Sequence, residues 1–228
     1  MSREQVVKRG KYYSIIAGTF RTQVPQEDPT ATRRDWESTD GKKSGTKYER
    51  IVNALFGYIK DVSFADGEFG MQVLIKLDEN EEGDNPIIAL GTSSREAEDF
   101  LRKLPNVDLS KEVRLRPFNF EGDNNEEVRG MEIMQQDSDD EFTVKITNFF
   151  RDKDKKENIN GYPNPEGDTA DYSKDDWKIY FLSARKFLIN YIKENICPQF
   201  TEQGQKDIIH DKSIDAALEE NPADAIPF

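Results

Sequence analysis

One cysteine and one histidine occur in the 228 residues. Cys197 alone cannot close an internal disulfide, and neither a multi-cysteine zinc site nor a multi-histidine metal site can be assembled. With His210 placed near the end of the chain, serine or threonine nucleophiles have no evident base. No apolar run approaches the ~18–20 residues that cross a bilayer. The opening MSREQVVKRG has no apolar stretch of the kind a secretory signal carries. Walker A, GxGxxG after a strand and HExxH are all missing. Asp78–Gly83 starts like a calcium-binding EF-hand loop, but Ala89 stands where the twelfth-position glutamate is needed. No metal, cofactor or catalytic residue is therefore expected. A two-metal carboxylate nuclease survives only as a composition-level option, because no particular Asp or Glu pair stands out. The expected class is a non-enzymatic, acidic globular protein of the cytoplasm.

What is abundant is charge. Charged residues make up 34% of the chain and hydrophobic residues 35%, with a net charge of -13 at pH 7. The distribution is uneven. Residues 1–60 hold 12 Lys and Arg against 7 Asp and Glu, whereas residues 61–140 hold 8 against 21. Residues 141–200 balance at 10 each, and residues 201–228 hold 2 against 7. Local fields of this kind steer partners more than the net charge does. The acidic 61–140 segment is expected to turn away from any anionic partner.

The pattern predicts a mainly β protein with helices. Tyr12–Phe20 reads as a strand, and residues 21–47 as a long polar excursion. Ile51–Phe64 reads as a long strand with a bend at Gly57. Phe69–Leu77 alternates, with Phe69, Met71, Val73, Ile75 and Leu77 on one face. Strand PIIALGT is followed by a helix over SSREAEDFLRKL, opened by a Ser93/Glu96 capping box and closed by Pro105. Lys111–Phe120 turns Val113 and Leu115 inward, and Val128–Gln136 turns Met131 and Ile133 inward. A further strand, Phe142–Phe150, points Phe142, Val144 and Ile146 inward. Arg151–Tyr172 is a second polar loop. Ser173 and Asp176 then cap a helix whose stripe runs Trp177, Tyr180, Phe181, Ala184, Phe187, Leu188, Tyr191 and Ile192. The order of three strands, a helix and two strands is that of an OB-fold, a five-stranded Greek-key barrel. The N-terminal strand and loop and the C-terminal amphipathic helix are additions to it. Two units are expected: an embellished barrel over 1–198, and a flexible acidic tail over 199–228.

The chain ends LEENPADAIPF. Acidic residues precede Ile226-Pro227-Phe228, so an apolar ring and a carboxylate lie together. A partner with an apolar pocket beside an Arg or Lys can hold both, and Pro227 limits the backbone freedom lost on binding. The ending Asp224-Ala225-Ile226-Pro227-Phe228 resembles the acidic tip of single-stranded DNA-binding proteins of bacteria and their phages, with Ala225 interrupting the acids. The resemblance implies one embellished OB-fold of the tailed-phage type, acting in DNA replication, recombination and repair. It also implies that Asp224, Ile226, Pro227 and Phe228 recruit polymerase, helicase or nuclease partners.

Single-strand binding needs cations along the backbone path and aromatic faces for the bases. Arg33, Arg34, Trp36, Lys42, Lys43, Lys47 and Arg50 supply both in one stretch. Strand parity adds Tyr58 and Lys60, with Phe56, on one outward face, then Lys76, and then Arg114, Arg116 and Phe118. Together these are expected to line a basic, aromatic groove. The competing expectation is an acidic protein-interaction module, either an adaptor or a nucleic-acid mimic that binds a host factor.

Overall fold

The computed structural model describes residues 10–38, 41–67, 70–78, 83–123, 125–138 and 141–200. Among the described residues the protein is mainly β, with a seven-stranded and a four-stranded sheet and two α-helices. The first segment is a hairpin and not one strand. β1 (Lys11–Ile16) and β2 (Thr19–Gln23) pair antiparallel around Ala17 and Gly18. Both turn residues have positive φ, +50° and +72°, the geometry of a two-residue hairpin turn whose twist matches the strands.

The polar stretch expected to be a loop contains a second hairpin. β3 (Thr32–Glu37) and β4 (Ser44–Val52) pair from Thr32↔Glu49 to Glu37↔Ser44. β2 pairs with β4 only over Glu49–Val52. Beyond Glu49 the hairpin is thus a two-stranded arm. With both faces wet, nothing imposes the apolar alternation by which strands are recognised.

The expected long strand Ile51–Phe64 is divided. β4 stops at Val52, and Ile51 is exposed. β5 (Leu55–Gly57) joins the four-stranded sheet, whereas β6 (Ile59–Gly67) joins the seven-stranded one. The expected bend does lie at Gly57, where φ is +142°. A Cβ there would stand 2.5 Å from Asp78 Oδ1, the atom that accepts from Tyr58 N at 2.8 Å. The glycine therefore lets one segment turn from one sheet into the other while Asp78 holds the exposed amide.

β7 (Gly70–Leu77) and β8 (Pro86–Gly91) complete the seven-stranded sheet, in the order β3-β4-β2-β1-β8-β7-β6. Val73, Ile75 and Leu77 are fully buried as expected, but Gln72 and Leu74 are buried too. Met71 is half-buried, and Phe69 lies outside the described residues. α1 (Arg95–Lys103) follows, capped by Ser94 and not by Ser93: the Ser94 hydroxyl accepts from Ala97 N. β9 (Val113–Glu121), β10 (Glu127–Gln136) and β11 (Phe142–Lys145) form the second sheet, in the order β11-β10-β9-β5. Val113, Leu115, Met131 and Ile133 make its inner face, all fully buried. β11 is shorter than expected, and Val144 is 45% exposed.

α2 (Lys174–Asn195) carries the expected capping box between Ser173 and Asp176. It buries Ala184, Leu188 and Ile192. Phe149, expected as a seat for this helix, and Phe150, expected at the start of a loop, both pack against it. Phe150 is buried among Phe149, Tyr162, Phe187 and Tyr191. The last described turn, Cys197–Phe200, buries Phe200 in the same core. Among the described residues no helix is long and apolar enough to cross a membrane.

Candidate nucleic-acid interface

The outer face of the four-stranded sheet follows from its register. Phe56↔Arg114, Arg114↔Met134 and Met134↔Lys145 are cross-strand partners, so one row crosses all four strands. The next rows along β9 and β10 are Arg116↔Glu132, Phe118↔Gly130 and Phe120↔Val128. Side chains two apart share a face, which puts Phe56, Arg114, Arg116, Phe118 and Phe120 on the side away from the core. Phe56 is 47% and Phe120 56% exposed. Phe56 meets Phe142 edge-on at 5.2 Å, and Phe118 lies 5.8 Å from Phe120. A Cβ at Gly130 would fall 2.5 Å from the Phe118 ring. The glycine thus lets that ring lie down on the sheet.

One carboxylate sits among these cations. Glu132 is 2.9 Å from Arg116, 3.4 Å from Arg114 and 3.9 Å from Lys145. Three positive charges face one negative charge, leaving an excess of two. Arg114 Nε is buried with no hydrogen-bond acceptor. By sequence this face belongs to the acidic 61–140 segment, so that segment does not turn away as a block.

Of the residues expected to line one groove, Arg114, Arg116 and Phe118 are brought together. Tyr58 and Lys60 lie past the Gly57 bend, where Lys60 Nζ stands 5.0 Å over the Tyr58 ring. Lys60 is the extra residue of a bulge, since Ile59 faces Leu77 and Asp61 faces Lys76. Lys76 is thereby set opposite Asp61 in the seven-stranded sheet, apart from Arg114 and Arg116. Phe120 and Met134 were missed, and Phe142, expected inward, instead meets Phe56 on this face. Alternation along β9 pointed to Phe120, but the register with β10 and β11 was needed to add the others.

The arm collects the other group. Arg34, Trp36 and Lys47 share one face, with Lys47 Nζ 5.2 Å from the Trp36 ring. Trp36 lies over Gly45, where a Cβ would be 3.0 Å from Nε1. Lys42 and Lys43 are exposed in the connecting turn. Arg33 pairs with Asp35 at 3.0 Å, and Arg50 with Asp28 at 3.1 Å. At the foot of the arm the buried Glu49 receives Arg34 at 2.7 Å and Arg21 at 3.2 Å. Arg33, Arg34 and Arg50 thus serve the arm's own structure as well as its charge.

Burial pushes the Glu49 carboxyl up, but hydrogen bonds and charge from Arg34 and Arg21 outweigh it and hold the group below the ordinary glutamate value. A lowered folded-state value means stability that is present above the unfolded value and is lost as pH falls through the folded one. Glu49→Gln should therefore cost about 1.5–3 kcal/mol at pH 7, the range for hydrogen bonds to charged groups. The gap to the parent protein should begin to narrow below the free glutamate value, roughly 4.3, and shrink further as pH falls through the lower folded one. Urea denaturation at pH 7 and pH 3.5 measures both, and a gap that did not change with pH would rule this role out.

Comparison with known proteins gives no match: no family model, no curated protein and no solved structure aligns with the chain. Among the described residues no three His, Cys, Asp or Glu side chains converge as a metal site. The expected partner-binding residues Asp224, Ile226, Pro227 and Phe228, and His210 with them, lie outside the described residues.

Proposed function

We propose that this protein binds single-stranded DNA without strong sequence preference, coating and protecting it during phage replication and recombination. The observation that carries this reading is the outer face of β5-β9-β10-β11. Large rings are left in water there, set between Arg114, Arg116 and Lys145. Ring faces accept any base, and guanidinium and ammonium groups accept the backbone. The arm would add Trp36, Lys42, Lys43 and Lys47 as a flank to the same path. Recruitment of replication partners is assigned to Asp224, Ile226, Pro227 and Phe228 on the sequence alone.

The strand pairings favour an OB-type core. The bent segment β5/β6 pairs at one end with β9 and at the other with β7. β7 pairs with β8, β9 pairs with β10, and α1 lies between β8 and β9 in the chain. A five-stranded, partly open Greek-key barrel has this order. The opening would fall between β8 and β10. There β1 pairs in parallel with β8. α1 covers the edge of β10: Asp99 accepts from Met131 N at 2.9 Å, and Lys103 donates to Met131 O at 2.7 Å. Such cover satisfies edge groups that otherwise invite another strand.

Oligo-dT affinity should fall as salt rises. Arg116→Ala should reduce the slope of log K against log salt by about 0.7, the value for one phosphate contact on a single strand. A fluorescence-anisotropy titration from low to moderate salt reads both, and absence of binding in dilute buffer would end the proposal. The alternative, a protein-interaction module, has Ile179 and Leu182 in its favour. They are 65% and 52% exposed, three residues apart on α2. It predicts capture of a basic protein and no oligo-dT binding.

A further inference from the structure

We propose that the cavity walled by α1, the segment after β11 and α2 holds a single nucleotide, with its base against Tyr180 and Phe181 and its phosphate at Arg102 and Arg151. The inference rests on the single-strand reading only in taking the ligand to be a nucleotide. The cavity measures about 180 Å³. Sites for drug-sized ligands run to ~300–1,000 Å³, so this one encloses the base, and the sugar and phosphate reach out to the exposed Arg151 at its rim. None of its lining residues belongs to the outer face of the four-stranded sheet.

Its walls pair ring faces with guanidinium groups. Tyr180 and Phe181 lie 5.4 Å apart, and Trp177 stacks on Phe181 at 5.7 Å. The Tyr180 hydroxyl donates to Pro163 O at 3.3 Å, which fixes that ring. Arg102 stands over the Tyr162 ring at 4.8 Å and donates to its hydroxyl through Nη2. Arg102 also pairs with Glu98 one turn earlier, while its Nε is buried without an acceptor. Burial pushes the Tyr162 phenol up to about 12. Its hydroxyl accepts from Arg102 and keeps its own proton for a ligand oxygen.

Arg151 is exposed at the rim and uses one N–H toward Asn158 Oδ1 at 3.3 Å. The planar fork of five donors suits a phosphate bidentately. Glu98 offsets the charge of Arg102, so Arg151 supplies the excess positive charge. Asn148 accepts from Phe150 N through Oδ1 at 2.8 Å, which leaves its NH₂ as a donor to a base carbonyl. An apolar ligand would leave both guanidinium groups unused. A bare anion would leave the paired rings unused. A base joined to a phosphate uses both.

Trp177 provides the readout. In a Trp36→Phe protein it is the only tryptophan, and titration with thymidine 5′-monophosphate should change its emission saturably. Thymidine alone and inorganic phosphate alone should each bind at least tenfold more weakly. Arg151→Ala should weaken the monophosphate at least tenfold, and Phe56→Ala should leave it unchanged. No saturable change would overturn the proposal. So would inorganic phosphate binding as well as the nucleotide, or loss of nucleotide binding in Phe56→Ala. Oligo-dT binding with no monophosphate response sinks this site and spares the proposed function; the reverse result sinks the proposed function and spares this site.

Discussion

Alanine at Phe56 and Phe120 together should abolish most oligo-dT binding while leaving the melting temperature almost unchanged. Stacking of one base on an aromatic side chain is worth ~1–3 kcal/mol, roughly 5- to 150-fold in affinity. Phe56 lies in the register row of Arg114, and Phe120 is six residues further along β9. At about 3.3 Å per residue the two rows are some 20 Å apart. Rings that far apart hold different bases, and their losses should add. The pair is thus expected to lose at least 30-fold, with each single variant near the square root of the double. Both rings are about half exposed, so their removal leaves no cavity in the core. Phe56 gives up its edge contact with Phe142, a loss of about 1 kcal/mol or less. Phe56→Leu discriminates further. Leucine keeps apolar bulk but has no ring face, so its loss should approach that of alanine. Parent-like affinity in the double variant would move the DNA path off this sheet, with the arm as the place left to test.

The elements that were legible in the sequence are those with one buried face. Val113 and Leu115 on β9, and Met131 and Ile133 on β10, alternate because only every second residue meets the core. The stripe from Trp177 to Ile192 was legible because α2 lays one side on Phe149, Phe150 and Tyr162. Where that asymmetry fails, the reading fails. The β3–β4 arm is wet on both faces, so Thr32–Glu37 carries no alternation at all. β7 lies between β6 and β8, and Gln72 and Leu74 are buried along with Val73 and Ile75. Ala17 at φ +50° ends β1, yet alanine is not a residue that announces such a turn. The candidate interface was half legible for the same reason. Parity along β9 gives Arg114, Arg116 and Phe118. The row that brings Phe56 and Lys145 beside them depends on the pairing of distant strands, which local pattern does not encode. Parity also cannot show that Glu132, one strand away, shares its charge with all three cations.

Phe150→Ala should give the largest loss of stability of any single change considered. The ring is 1% exposed and meets four others, with centroids 5.0–5.7 Å away, from Phe149, Tyr162, Phe187 and Tyr191. Removing a buried phenylalanine costs about 3–5 kcal/mol through lost transfer energy and the cavity left behind. That is a third or more of the ~5–15 kcal/mol that holds a typical protein folded. At ~2–4 °C per kcal/mol for a chain of this size, the midpoint should drop by roughly 6–20 °C. Ile179→Ala on the same helix is the control. It faces water, and surface changes of this kind stay within about 0.5 kcal/mol. Val113, Leu115, Met131, Ile133, Val73 and Ile75 enter the core from the strands themselves, whereas Phe150 enters it from the segment after β11. Below its midpoint, therefore, Phe150→Ala should still bind oligo-dT with nearly parental affinity, because Phe56, Arg116 and Phe120 stay on their strands. A loss under about 1 kcal/mol would show that α2 is not seated on this aromatic cluster. Full loss of oligo-dT binding in a folded variant would show that α2, and not the sheet face alone, carries the strand.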